Sequence, residues 1–478
     1  MSQSIVKNSI FNVAYKLLNV LFPLITTTYV ARVLLADGVG KVAYAQNIVA
    51  YFVALAALGI PNYGTREIAK VRSDARQVSK LFSELFVINL CSTCFFSIAY
   101  FYLVFTVPFF RDNLALHLVV GVSLFFKLFD VTWLYQGIED FAYITIRSFI
   151  VKLVCLAWIF IFVKTKNDVV LYAGASVLGV GLNDVFNIIH LRKFNIKPSL
   201  KNIELKKHLK SIFVLFASVI AIELYTMVDT TMIGWICDET AVGLYTNAMK
   251  IIKILIGVVS GVAGVLLPRL SYYYACGEID KCSQLVSTAL MVMIFLYLPC
   301  LIGLLIDGGI VMPLLFGESF AAGGCTLQIA SLLICTLGFS NLFGTQVLLT
   351  FGQEKKLFYC TIVAAVVNLG LNLILIPIFA QNGAACASVV AEGIVLLLTY
   401  FFCKKNVKIN IKKNFISSSI FSSVLLLCVI FFIKQTFCSY LLSLVFSFLG
   451  GAIIYLIGNY LLKNPVLEMA LTKMTRKN

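Results

Sequence analysis

The sequence predicts an all-α integral membrane protein with 14 transmembrane helices. Three observations carry that prediction: a composition too apolar for a soluble protein, apolar runs of bilayer-crossing length, and basic residues that crowd into alternate connections. The chain is 60% hydrophobic and 13% charged, whereas soluble domains carry about 45–50% apolar and about 25% charged residues. A water-facing surface needs polar groups to cover it, and a bilayer does not.

A hydrocarbon core of about 30 Å takes about 20 helical residues. Runs of that length lie near 9–32, 42–61, 81–107, 114–136, 141–163, 169–190, 211–235, 242–267, 285–306, 321–350, 357–379, 384–403, 414–433 and 440–462. With the first residue placed in the cytoplasm, most of the 38 lysines and arginines fall on the cytoplasmic side, chiefly in the connections after spans 2, 6 and 12. That alternation is the positive-inside pattern, and it predicts a multi-pass protein of the cytoplasmic membrane with both termini cytoplasmic.

The net charge of +16 is therefore read as membrane orientation. No nucleic-acid-binding motif accompanies it, so no nucleic-acid partner is expected. The largest basic cluster, Arg192, Lys193, Lys197, Lys201, Lys206, Lys207 and Lys210, reads as a linker drawn to anionic lipid. Most of the 14 cysteines lie in apolar runs, Cys91 and Cys94 included, where they behave as small hydrophobes. His117, His190 and His208 show no metal-ligand spacing, so no metal site and no cofactor are expected. The apolar stretch from Ile10 to Val33 is too long for the core of a signal peptide, and Lys16 interrupts it. Connections on the outer side are short, the longest near 307–320. No GxxxxGK[ST] phosphate loop is present, which argues against direct use of ATP.

The halves resemble each other weakly. YVARVLLADGVGKVAYAQNI spans the first turn, and TTMIGWICDETAVGLYTNAMKI spans the turn between runs 7 and 8. Each restarts with Val-Gly followed by Tyr and Asn: Val39, Gly40, Tyr44 and Asn47, then Val242, Gly243, Tyr245 and Asn247. Parallel repeats of this kind are one plan for transporters. The expected division is 1–200 for spans 1–6 and the basic linker, 201–410 for spans 7–12, and 411–478 for two peripheral spans and the tail.

The opening KNSIFNVAYKLLNVLFPLITTTYVARVL, the following GVGKVAYAQNIVAYFVALAALGIPNYGTREIAK, the VDTTMIGW of span 7 and the AVGLYTNAMKI of span 8 resemble the Wzx-type polysaccharide flippases. These move repeat units of O-antigen, capsule or teichoic acid and belong to the multidrug/oligosaccharidyl-lipid/polysaccharide exporter superfamily. The resemblance runs along the whole chain. It implies two six-helix lobes around a central cavity plus two C-terminal helices, and a transporter rather than an enzyme. The implied substrate is a polyprenyl-pyrophosphate-linked oligosaccharide, carried by a monomer among membrane lipids, with polysaccharide assembly proteins as further partners.

Ionisable groups cost about 2.5–3.5 kcal/mol at mid-membrane, so they face bundle interiors or water. Those within the runs are Lys16, Lys127, Asp130, Arg147, Lys152, Asp184, Glu223, Asp229, Lys250, Lys253 and Glu392, with none inside spans 13 and 14. Because the resemblance puts spans 1, 2, 7 and 8 along the cavity, Lys16, Lys250 and Lys253 are candidate ligands for an anionic head group. Asn47 and Asn247 are candidate sugar or head-group contacts. Lys250 and Lys253, three apart, share a helical face.

Arg147 and Lys152 either line the cavity or snorkel to the cytoplasmic side. Lys127 and Asp130, three apart, either neutralise each other or take part in coupling. Glu223 and Asp229 either pair with Lys250 or Lys253 or take up a coupling ion, H+ or Na+. Pro23 and Pro299 would bend their helices, and Arg66 and Glu67 would cap span 2. The rival readings are a drug or metabolite exporter of the same superfamily, a membrane glycan polymerase or ligase, and a scaffold. A polymerase would carry a large outer loop, and several cavity cations suit an anion better than a cationic drug.

Overall fold

A computed structural model describes residues 5–194, 196, 203–263, 266–437 and 439–475. Among these residues the chain is helical and contains no strand. This follows from the solvent, because a chain crossing hydrocarbon must satisfy its backbone within each segment or within a closed barrel. Nine helical stretches among the described residues are long and apolar enough to cross a membrane, and Leu114–Lys127 is a shorter apolar helix. The protein is a multi-pass membrane protein.

Two compact units divide the chain, Met1–Gly234 and Trp235–Asn478. The first contains α1 (Ile5–Ala57), α2 (Ile60–Val71), α3 (Ala75–Thr106), α4 (Leu114–Lys127), α5 (Thr132–Gly137), α6 (Phe141–Phe162), α7 (Val169–His190) and most of α8 (Lys206–Ile236). It reaches beyond residue 200 because α8 packs on helices that precede it. The Asn47 amide donates to the Met227 carbonyl at 3.2 Å and to Thr231 Oγ1 at 2.7 Å, and Tyr51 and Thr231 share a hydrogen bond of 2.8 Å.

Predicted spans 1 and 2 both lie on α1, which breaks at Leu35 (φ 62°, ψ 179°). Predicted span 4 is likewise interrupted: α4 stops at Lys127, and α5 begins at Thr132. Pro23 lies inside α1 and Pro299 inside α11, as the sequence predicts.

The two ends of the first unit differ. At one end, the turns after α2 and α5 meet through Arg72 and Glu139 at 2.6 Å, and Lys80 on α3 pairs with Glu204 before α8 at 3.4 Å. At the other end, the connections α3–α4 and α6–α7 and the break in α1 line one open cavity. The connections that charge alternation assigns to one side are therefore together, and so are those it assigns to the other.

The second unit contains α9 (Glu239–Ala263), α10 (Leu266–Ala275), α11 (Ile279–Phe316), α12 (Gly324–Ser331), α13 (Leu333–Asn341), a π-helical turn (Leu342–Leu348), α14 (Glu354–Cys403), α15 (Lys413–Thr436), α16 (Tyr440–Leu461) and α17 (Pro465–Thr475). Predicted spans 13 and 14 are α15 and α16. They pack closely, with Gly451 against Leu426 and Gly458 against Ser422, the small-residue contact by which helices approach without a hydrophobic drive. Asn464 fixes their ends, donating to Ser418 Oγ at 2.8 Å and Asn459 Oδ1 at 2.6 Å. Lys434 at the end of α15 pairs with Asp307 of α11 at 3.0 Å. An apolar cavity of about 720 Å³ lies among α11, α15 and α16.

α14 holds predicted spans 11 and 12 and reverses at Ala380 (φ 48°, ψ −129°). The reversal is tight enough that a Cβ on Gly383 would stand 2.3 Å from the Leu375 carbonyl oxygen, a fixed backbone atom that cannot yield. Gly383→Ala is expected to cost about 1–3 kcal/mol, as overpacking does. It should lower the apparent melting midpoint of the detergent-purified protein, whereas Gly393→Ala, which meets open space, should not.

Candidate functional site

The interruption of span 4 forms the centre of the polar interior of the first unit. Four residues between α4 and α5 leave backbone groups without helical partners, and buried polar side chains take them up. Asn89 of α3 donates its amide to the carbonyls of Lys127 at 3.1 Å and Leu128 at 3.2 Å, and Asp130 Oδ1 accepts from Thr132 N at 3.2 Å. Lys127 and Asp130 form an ion pair across the gap.

Asn187 of α7 joins the remaining elements. Its amide donates to Thr132 Oγ1 at 3.0 Å, its carbonyl accepts from Tyr135 OH at 2.5 Å, and its side-chain oxygen accepts from the Arg147 guanidinium of α6. Arg147 is 7% exposed and sits over the Tyr143 ring at 5.6 Å. It turns into the bundle and does not snorkel to an interface, because Asn187 and Tyr143 offer it partners that lipid does not. Its Nε has no hydrogen-bond partner among the described residues. Asp184, one helical turn before Asn187, is 6% exposed.

The predicted residues therefore divide into groups. Lys127 and Asp130, half-buried, join the buried Arg147 through Thr132 and Asn187, with the buried Asp184 one turn away on α7, whereas Lys152, half-buried, lies over the Phe22 ring of α1 at 5.6 Å. Asp229 is buried and Glu223 half-buried on α8. Lys16 lies on α1, and its side chain is outside the described residues. In the second unit, Lys250 donates to the fully buried Asn247 Oδ1 at 3.2 Å, while Lys253 is exposed. Asn247 therefore presents its oxygen to the lysine, and its Nδ2 has no hydrogen-bond partner among the described residues. The same unit buries Glu392, approached by Ser340 Oγ at 3.5 Å, and the neighbouring pair Asn368–Asn372 at 3.1 Å.

Sequence reasoning missed a second buried constellation, at the paired end of the first unit. Glu84 of α3 is 1% exposed and accepts from Glu204 N at 3.0 Å, with the Lys207 ammonium 3.2 Å from its Oε2. His208 links it to α2, with Nε2 at 2.8 Å from Glu84 Oε2 and Nδ1 at 2.8 Å from Tyr63 OH. A neutral imidazole satisfies both contacts by donating to the carboxylate and accepting from the phenol. Lys80 and Lys207 hold the exposed Glu204 carboxyl below its ordinary range. At the far end, three hydrogen bonds from Lys164 N, Thr165 N and Thr165 Oγ1 do the same to Asp168.

A chain that crosses the membrane repeatedly and draws lysine, arginine and carboxylates into its bundles has the build of a transporter, since such charges are retained where they serve a wet path or each other. Residues 5–273 match the polysaccharide biosynthesis protein family, and the chain belongs to that family. A putative O-antigen transporter of Escherichia coli strain K12 is 24% identical over 406 residues, covering 84% of this chain and 97% of the relative. The solved structure of a lipid II flippase, MurJ, in an inward closed conformation superposes with a TM-score of 0.78 at 14% identity, covering 97% of this chain and 100% of that one. An inward-facing multidrug resistance MATE transporter gives 0.65 at 16% identity, covering 83% and 97%. These two structures show the shared all-helical fold.

The Arg147–Asn187 contact is open to a double-mutant test. Asn187→Leu should lower the apparent melting midpoint by the equivalent of about 2 kcal/mol, since it leaves a buried cation short of an acceptor. Adding Arg147→Met should recover most of that loss. Additive losses in the two single variants and the double variant would show that the contact contributes nothing.

Proposed function

We propose that the protein flips a polyprenyl-pyrophosphate-linked oligosaccharide from the inner to the outer leaflet of the cytoplasmic membrane by alternating access. The observation that carries the reading is the set of cations held within the membrane-spanning helices of a chain whose relatives are named O-antigen transporters and flippases. A pyrophosphate and its glycan cannot enter hydrocarbon without replacement of their hydration. Lysine and arginine supply that replacement for an anion, and the prenyl tail stays in the lipid. No bond is made or broken.

The proposed head-group ligands are Lys16, Lys250 and Lys253, with Asn47 and Asn247 as polar contacts and Arg147 and Lys152 along the path. Asn47 and Asn247 would have to exchange their present hydrogen bonds for the substrate's. Coupling to H+ or Na+ would act through the carboxylates Asp130, Glu223 and Asp229, with Lys127 as the counter-charge of Asp130. The proposal includes 14 crossings, both termini in the cytoplasm, and transport lobes at 1–200 and 201–410 with a peripheral segment at 411–478. It also includes a working monomer with polysaccharide assembly proteins as partners.

Replacing Lys250 and Lys253 together by Ala should leave expression and melting midpoint near wild type. It should also cut surface polysaccharide at least tenfold, with lipid-linked glycan accumulating on the inner leaflet of a deletion strain. Normal surface polysaccharide would remove both lysines from the site. Orientation is checked by cysteine labelling in a chain whose native cysteines are replaced. Ala115→Cys should react with an impermeant maleimide in intact cells, and Arg76→Cys only after permeabilisation. The reverse pattern would overturn the topology.

A further inference from the structure

The cavity at the open end of the first unit has no part in the proposal so far. Its volume is about 530 Å³, within the usual range for small-molecule sites. Three chain segments converge on it: the break in α1, the connection before α4 and the connection before α7. Its polar lining is Asp37, Lys41, Asp112, Asn113, Lys166 and Asn167. Leu34, Leu116 and Val169 give it an apolar part.

Four of the six polar side chains here are unspent. Lys41 and Asp37 pair with each other at 2.7 Å. The side chains of Asp112, Asn113, Lys166 and Asn167 make no hydrogen bond or ion pair among the described residues. The opposite end of the same unit is different: Arg72, Lys80, Glu84, Glu139, Glu204 and Lys207 are all paired. One end of this bundle holds these six groups in ion pairs, and the other leaves four polar side chains facing a concavity.

The lining selects the ligand. Two lysines balance two aspartates, so the cavity has no net charge with which to hold a phosphate or a metal ion. Two carboxamides and two carboxylates, each able to accept, stand beside amide and ammonium donors. Acceptors and donors together with apolar side chains in one lining match a pyranose, which presents vicinal hydroxyls at its rim and C–H groups on its face. We infer that this cavity is a binding site for a sugar residue of the transported glycan. On the proposed orientation it lies at the outer surface, where it would hold a glycan unit after crossing and oppose its return. The inference rests on the flippase reading for its role, though not for its chemistry.

The test uses the full chain in lipid nanodiscs and saturation-transfer NMR with free N-acetylglucosamine, galactose and glucuronic acid, and with methyl phosphate as the anion control. Wild type should transfer saturation to at least one sugar. Asn113→Ala with Asn167→Ala should weaken that sugar at least tenfold at an unchanged melting midpoint, and Asp112→Ala provides a second variant should the first fail to fold. No transfer to any sugar, equal binding in a folded variant, or a response to methyl phosphate alone would overturn the site. A folded wild type that binds sugar and flips no lipid-linked glycan would overturn the transport reading and leave the site standing. Flipping without sugar binding would do the reverse.

Discussion

The cost of leaving a polar group unsatisfied in hydrocarbon governs the rest of this structure. It compels the helical backbone, because a span has no water to satisfy it. It also dictates what happens where the helix fails. The gap between α4 and α5 is tolerated because Asn89 takes two of its carbonyls and Asp130 one of its N–H groups. The same rule turns Arg147 inward to Asn187 and holds Glu84 against three donors. An apolar side chain in place of Asp130, Arg147 or Glu84 would make no such demand. A charge there demands specific partners and so fixes which helices meet.

The fold is legible in the sequence to the extent that it depends on solvent. Apolar run length and the alternation of lysine and arginine are properties of local stretches, and the helices follow them. The grouping of loops at the two ends of the first unit agrees with the alternation, although the sequence offers no contact between those loops. The contacts of α8 are not legible. It packs with the helices before it through Asn47, Tyr51 and Thr231. Those residues are separated by about 180 positions, and no periodicity records such a pairing.

The candidate site was legible in kind and only partly in arrangement. An ionisable residue in an apolar run is conspicuous, and Lys127, Asp130 and Arg147 were found that way. Their organiser, Asn187, is uncharged and inconspicuous among apolar neighbours. Glu84 lies only three residues inside its predicted span and is easily taken for an interfacial residue, yet it is 1% exposed. Its partners His208 and Tyr63 come from distant segments. The readable signal would have been a histidine within a basic linker, where lysines alone would satisfy an attraction to lipid. A histidine that pairs with a carboxylate has a structural reason to be there.

The broken helices gain meaning from the same constraint. Left-handed or distorted backbone at Leu35 and Ala380 costs about 1–3 kcal/mol at each non-glycine residue, and the π-helical turn at Leu342–Leu348 departs from the ordinary ladder. At Leu35 and Ala380 the strain accompanies the turn from one predicted span to the next. The break at Leu35 forms one wall of the polar cavity at the open end, and the π turn lies one residue beyond Ser340 and Asn341, where α13 faces the buried Glu392. Irregular backbone therefore occurs beside polar side chains in both units. Regular helices satisfy their own backbone in the membrane, and the departures from regularity stand where polar side chains can take up what the helix ladder leaves.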